Sequence, residues 1–126
     1  MGEFVIRQVP TGVKFDLRAG NGEVVATSEV YKTEGACRKG IQSVQKNAVK
    51  AKLEDQTTGE GDLTCPKFEL YLDQAGAYRF RLRSRNGAII AVSEAYRTKN
   101  SCLAGIESVR KNADSAEILN FSPKIY

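Results

Sequence analysis

A chain in which residues 15–48 return at residues 80–113 can fold only into something built from two similar halves. FDLRAGNGEVVATSEVYKTEGACRKGIQSVQKNA reappears as FRLRSRNGAIIAVSEAYRTKNSCLAGIESVRKNA, in register and without a gap, with 18 of 34 aligned pairs identical. The lead-in repeats as well. Phe68 and Leu70 match Phe4 and Ile6, and the loop that follows differs by one residue, Gly12 aligning with Gly76. One such unit is too small to bury an adequate core, whereas two units in one chain of 126 residues supply each other's partner.

Each unit reads as β-β-β-α-β. Glu3 to Val9 alternates, with Phe4 and Ile6 on one face and Glu3, Val5 and Arg7 on the other. After the Pro10-Thr11-Gly12 turn, Val13 to Ala19 sets Val13, Phe15 and Leu17 against Lys14, Asp16 and Arg18. Asn21-Gly22 is a hairpin signal, because both central residues of that turn need positive φ. Glu23 to Thr27 is a third strand whose continuous Val24-Val25-Ala26 predicts an interior place. Thr33 is the expected cap of a helix striped by Cys37, Gly40, Ile41 and Val44, and Asn47 is expected to close it in the left-handed conformation. Gly40 costs helix propensity, which predicts close approach to the sheet. Ala51 to Glu54 is a short fourth strand. The second copy follows with strands over Phe68–Leu72, Tyr78–Leu82, Ala88–Val92 and Ala116–Leu119, and a helix begun by Thr98.

Composition narrows the function classes. There is no histidine, and three cysteines stand without CxxC spacing, which argues against a zinc site and a disulfide framework. The commonest general base is therefore missing, and neither an enzyme nor a cofactor is expected. No apolar run approaches a bilayer span, and MGEFVIRQV lacks the apolar core of a secretory signal, so a cytoplasmic protein without membrane contact is expected. A net charge of +4 permits acidic or nucleic-acid partners without requiring them.

Asn21-Gly22, Ser28-Glu29, Tyr31 and Gly40 to Ala48, repeated as Asn86-Gly87, Ser93-Glu94, Tyr96 and Gly105 to Ala113, resemble the YegP-like family of small bacterial proteins built from one or two copies of this unit. The resemblance covers nearly the whole chain. It implies an α+β fold in which two tandem β-β-β-α-β repeats form one shared, mainly antiparallel sheet, with exchanged C-terminal strands and helices packed on the sheet. The expected organisation is one composite domain, with a first repeat at 1–55, a linker at 56–66, a second repeat at 67–120 and a tail at 121–126. The resemblance implies an architecture and no reaction.

Two constellations are candidates for function. Ser28, Glu29 and Tyr31, with Ser93, Glu94 and Tyr96, form a repeated polar motif. It reads either as a small-ligand or catalytic site, or as structural capping with buried, hydrogen-bonded tyrosines, and repetition favours capping. Cys37 and Cys102 on the helix stripes read as small hydrophobes, while Cys65 in the linker is an incidental thiol or a redox site. The second constellation is asymmetric. Arg79, Arg81, Arg83 and Arg85 alternate away from Phe80 and Leu82, with Lys14 and Arg18 at matching places in the first copy and Tyr71 alongside. Val5, Val25, Ile90 and Val92 are expected on the same open face. Such a face suits an acidic protein or single-stranded nucleic acid, unless Glu69 and Asp73 neutralise it. A non-catalytic interaction module, monomeric or weakly oligomeric, is the leading expectation.

Overall fold

A computed structural model of the chain describes residues 2–59, 61, 63–114 and 116–121. The first unit comprises β1 (Glu3–Val9), β2 (Gly12–Arg18), β3 (Val24–Thr27), α1 (Glu34–Ala48) and β4 (Lys52–Asp55). The second comprises β5 (Lys67–Leu72), β6 (Tyr78–Arg83), β7 (Ile89–Val92), α2 (Lys99–Ala113) and β8 (Glu117–Phe121). All eight strands join one sheet in the order β4-β5-β6-β7-β3-β2-β1-β8. Within each unit the first three strands form an antiparallel meander, and the two meanders meet where Thr27 of β3 faces Val92 of β7. The fourth strand of each unit leaves its own meander. β4 lies parallel to β5 of the second unit, and β8 lies parallel to β1 of the first.

Alternation explains the layering. Phe4, Ile6, Phe15 and Leu17 turn to one face with Phe68, Leu70, Phe80 and Leu82, and all are wholly buried. Cys37, Ile41 and Val44 of α1 and Cys102, Ile106 and Val109 of α2 close over them in one continuous core. Thr33 and Thr98 cap the helices, their side-chain oxygens accepting from the N–H groups of Ala36 and Ser101. A bulge displaces the register between Leu17 and Arg18 and again between Leu82 and Arg83. It adds a residue to β3 and to β7, so Val25 and Ile90 join the core instead of lying on the open face.

Asn47 does not close the helix in a left-handed conformation. It lies within α1, which ends at Ala48 with Val49 in right-handed geometry. Its amide donates to the Ser43 carbonyl at 2.7 Å and its Oδ1 accepts from the backbone N–H of Arg85 at 3.2 Å. A long-range partner on the other unit's hairpin therefore outweighs the capping preference. Residues 122–126 of the expected tail lie outside the described residues, while Phe121 ends β8.

The glycines inside the helices answer to two tyrosines. Tyr31 pairs its backbone with Val13 and stacks on Phe15 at 6.4 Å between centroids. Its hydroxyl end sits where a Cβ on Gly40 would be. Tyr96, Phe80 and Gly105 repeat the arrangement. Among the described residues neither hydroxyl has a hydrogen-bond partner, so the expected bond is replaced by shape fit. Gly40→Ala should lower unfolding free energy by about 1–3 kcal/mol, despite alanine's better helix propensity, and the loss should shrink in a Tyr31→Phe background. Urea unfolding of the four proteins of this cycle measures it. A stabilising Gly40→Ala would remove the tyrosine as the reason for glycine.

Candidate functional site: an arginine face on paired carboxylates

The face of the sheet opposite the helices is built by the same alternation. On β6, Arg79, Arg81 and Arg83 stand across from Tyr71, Glu69 and Lys67 of β5. On β2, Lys14, Asp16 and Arg18 stand across from Arg7, Val5 and Glu3 of β1. Arg85 does not join them. β6 ends at Arg83, and Arg85 lies in the following turn, where it lines a groove on the helix side with Lys46 and Asn47. The end of β6 and the turn after it cut the alternation two residues short.

Carboxylates beneath this face hold its guanidinium groups. Glu69, almost fully buried, accepts from Nε of Arg81, from Nε of Arg83 at 2.8 Å and from Nζ of Lys67 at 3.2 Å. Lys67 also donates to Glu54 at 2.7 Å, and Glu54 further accepts from the Gln56 amide and the Leu63 backbone N–H. Burial alone would raise the Glu69 carboxyl, yet hydrogen bonds from Arg81, Arg83 and Lys67 outweigh it and hold the group at about 2. Hydrogen bonds from Gln56 and Lys67 likewise lower Glu54, and the bond to Glu54 raises Lys67. Nearby, Arg79 Nε donates to Asp73 at 2.7 Å, a bond that lowers the carboxyl and raises the guanidinium. In the first unit Arg7 Nε donates to Asp16 at 2.8 Å, and Thr27 donates to the same carboxylate at 2.7 Å.

The two units differ at one consequential place. Where the second has Glu69 facing Arg81 with Arg83 on the diagonal, the first has Val5 facing Asp16 with Arg18 on the diagonal. Asp16 is engaged by Arg7 and Thr27. Among the described residues, Arg18 Nε is left buried without a hydrogen-bond partner. Tyr71 is partly covered too, because the Arg81 guanidinium lies 4.4 Å from its ring centroid.

The Ser-Glu-x-Tyr motif holds backbone. Ser28 Oγ accepts from Phe15 N–H at 2.9 Å and donates to the Glu29 carbonyl at 2.7 Å, and Ser93 does the same between Phe80 and Glu94. Tyr31 and Tyr96 sit against the helix glycines, and burial is the main reason their hydroxyls are raised. Glu29 and Glu94 are exposed. The thiols of Cys37 and Cys102 are buried and pushed up to about 11, chiefly by burial, while Cys65 is half-buried. Among the described residues no group of three or more histidine, cysteine, aspartate and glutamate side chains could hold a metal, and no helix is long and apolar enough to cross a membrane.

Glu54 and Lys67 went unnoticed in the sequence. They lie in different units, on either side of the linker, and meet only because β4 pairs with β5. In the linker a short 3-10 turn at Gln56–Thr58 follows β4, and the Leu63 N–H donates to Glu54. A charged residue at each end of a linker carries no local signal of this.

A family model described as a domain of unknown function, DUF1508, matches residues 12–55 and again residues 73–119. A UPF0339 protein of Methanosarcina acetivorans is 58% identical over 53 residues, which is 42% of this chain and 91% of that protein. A UPF0339 protein of Photorhabdus laumondii is 36% identical over 104 residues, covering 82% of this chain and 79% of the relative. The solution structure of yegP from E. coli, titled a protein of unknown function, matches with a TM-score of 0.79 and 29% identity, over 98% of this chain and 96% of that one. A UPF0339 protein structure from Shewanella oneidensis gives 0.78 and 26%, over 99% and 95%.

The charge network should leave a signature in acid. Glu69 has a folded value near 2, below its unfolded one, so its contribution is complete above the ordinary carboxylate range and drains away as pH falls towards about 2. Glu69→Gln should flatten the stability profile between about pH 5 and about pH 2, measured as the urea midpoint against pH. A variant whose acid limb still parallels wild type would place the titration elsewhere.

Proposed function

The chain belongs to the DUF1508 family, whose model it matches in both halves, and from that premise we propose that it is a non-catalytic binding module receiving an acidic partner protein on the open sheet face. The observation that carries this reading is Arg18. Its Nε is buried and unpartnered, while the equivalent Arg83 is bonded to Glu69. Arg18 thus lacks the carboxylate that holds Arg83, and a partner's carboxylate meeting the accessible part of its guanidinium would supply the charge that Val5 cannot. Lys14 stands four residues earlier on the same face, with Asp16 between them.

The surrounding guanidinium groups suit that role. Arg7, Arg79, Arg81 and Arg83 all point Nε at a carboxylate of their own chain, which fixes each group in place. Terminal nitrogens remain for a second acceptor, and a pre-positioned donor loses less entropy on binding than a free side chain. Single-stranded nucleic acid is the weaker occupant. A base would stack on Tyr71, the aromatic residue expected on this face, and Arg81 already covers one side of that ring. The three free cysteines accord with action in the cytoplasm, where thiols stay reduced.

Fluorescence anisotropy with a labelled poly-glutamate peptide and a labelled single-stranded oligonucleotide, each across a salt series, tests the reading. The wild-type protein should bind poly-glutamate more tightly than the oligonucleotide. Lys14→Gln with Arg18→Gln should weaken poly-glutamate binding by about tenfold or more without loss of melting temperature. Binding indifferent to the pair of substitutions, or preference for the oligonucleotide, would sink it.

A further inference from the structure

The helix side of the molecule carries a second basic surface, separate from the sheet face. Two adjoining grooves of about 600 Å³ and 610 Å³ run along the C-terminal half of α1 and share Ser43, Lys46 and Asn47. Lys39, Gln42 and Gln45 complete one, and Lys50, Pro66, Ser84, Arg85 and Asn86 complete the other. The described lining residues include four cations and no carboxylate. Lys39 and Lys46 are seven residues apart, so they share one helix face about 10 Å apart along the axis. Lys50 follows just past the helix end. The opposite wall is the hairpin between β6 and β7, held to α1 by the Arg85 N–H on Asn47 Oδ1. Only backbone is used in that bond, and the exposed Arg85 side chain remains available.

The internal repeat supplies a control. At the equivalent place in the second unit, a groove of about 490 Å³ is lined by Gly20, Ala104, Glu107, Ser108, Lys111 and Asn112. Ser43, Lys46 and Asn47 correspond to Ser108, Lys111 and Asn112, whereas Lys39, Gln42 and Arg85 correspond to Ala104, Glu107 and Gly20. The shared residues include the asparagine that packs the fold. The excess positive charge belongs to one groove alone, so the fold does not require it. Lysines at a helix C-terminus also complement the macrodipole. That accounts for Lys46, which both units keep, but not for Lys39 on the helix body or Arg85 on the hairpin. The negative end of α1 is already met by Arg110, which donates to the carbonyls of Ala48 and Ala51.

We propose that the α1 groove binds a chain of linked phosphates, with Lys39, Lys46, Lys50 and Arg85 as its cations. A line of ammonium groups flanked by a guanidinium and by serine and asparagine side chains suits an elongated anion of high charge density better than a single carboxylate. The phosphate chain of a nucleoside triphosphate and inorganic polyphosphate share that chemistry.

Isothermal titration calorimetry with the full chain separates these sources, using ATP, inorganic tripolyphosphate and long-chain polyphosphate. Tripolyphosphate should bind, and Lys46→Gln with Arg85→Gln should weaken it by about tenfold or more, with Lys50→Gln as a second, independent variant. Lys111→Gln in the other groove should leave affinity unchanged. ATP held as tightly as tripolyphosphate would identify a nucleotide site, and affinity that climbs with chain length would identify polyphosphate. Either result supports the proposal. No binding by any phosphate chain would overturn it, as would equal losses in Lys46→Gln/Arg85→Gln and Lys111→Gln. A single-stranded oligonucleotide bound more tightly than tripolyphosphate through the same residues would overturn it in favour of a nucleic-acid backbone.

Discussion

The exchange of fourth strands is the constraint on which the rest of the molecule depends. β4 pairs in parallel with β5, and β8 with β1, so neither unit completes its sheet from its own residues. A parallel pairing needs a connection that returns the chain. Residues 56–66 join β4 to β5, while α1 and α2 carry the chain from β3 and β7 out to the exchanged strands. Because α1 must carry the chain from the centre of the sheet to its far edge, it covers strands of both units and draws their apolar faces into one core. The exchange also delivers Glu54 to Lys67, which joins it to the Glu69 carboxylate on which Arg81 and Arg83 rest.

Repetition separates what the fold requires from what one surface has acquired. The tyrosine-on-glycine contact, the serine that joins strand to loop, and the asparagine bonded to its own helix recur in both units. These positions are answerable to packing, and most are buried. Several charged positions do not recur. Glu69 stands where the first unit has Val5, and Arg81 where it has Asp16, so the two halves of the open face satisfy their charges differently. Burial of Glu69 among three cations creates a compact network with one net positive charge once Glu54 is included. Removing either carboxylate would leave buried cations uncompensated, so the network makes the face rigid as well as charged.

Much of the fold was legible because its signals are local. Alternation in Val13–Leu17 and Tyr78–Leu82, the Asn-Gly turns and the threonine caps place strands and helices within a residue or two of their observed ends. Gly40 pointed to a close approach, though what approaches is the Tyr31 ring and hydroxyl. The misplacements arose where a distant group overrode a local preference. Asn47 found Arg85, the turn after Arg83 took Arg85 off the face, and the extra residue in β7 turned Ile90 inward.

By itself the sequence determined that the chain repeats one unit, which residues of each strand are apolar and that histidine is absent. It did so because repetition, side-chain alternation and turn propensity are read over a few residues. That the two units share one sheet was implied by the family resemblance. Tertiary structure alone decided which charges meet. Lys67 and Glu54 are separated by the linker, Glu69 and Arg83 by a hairpin, and Arg110 lies in a different helix from the carbonyls it caps. Electrostatic pairing depends on distances of a few ångströms in space, and the pairing of strands sets those distances. Val5, standing where the second unit has Glu69, leaves Arg18 without the carboxylate that holds Arg83.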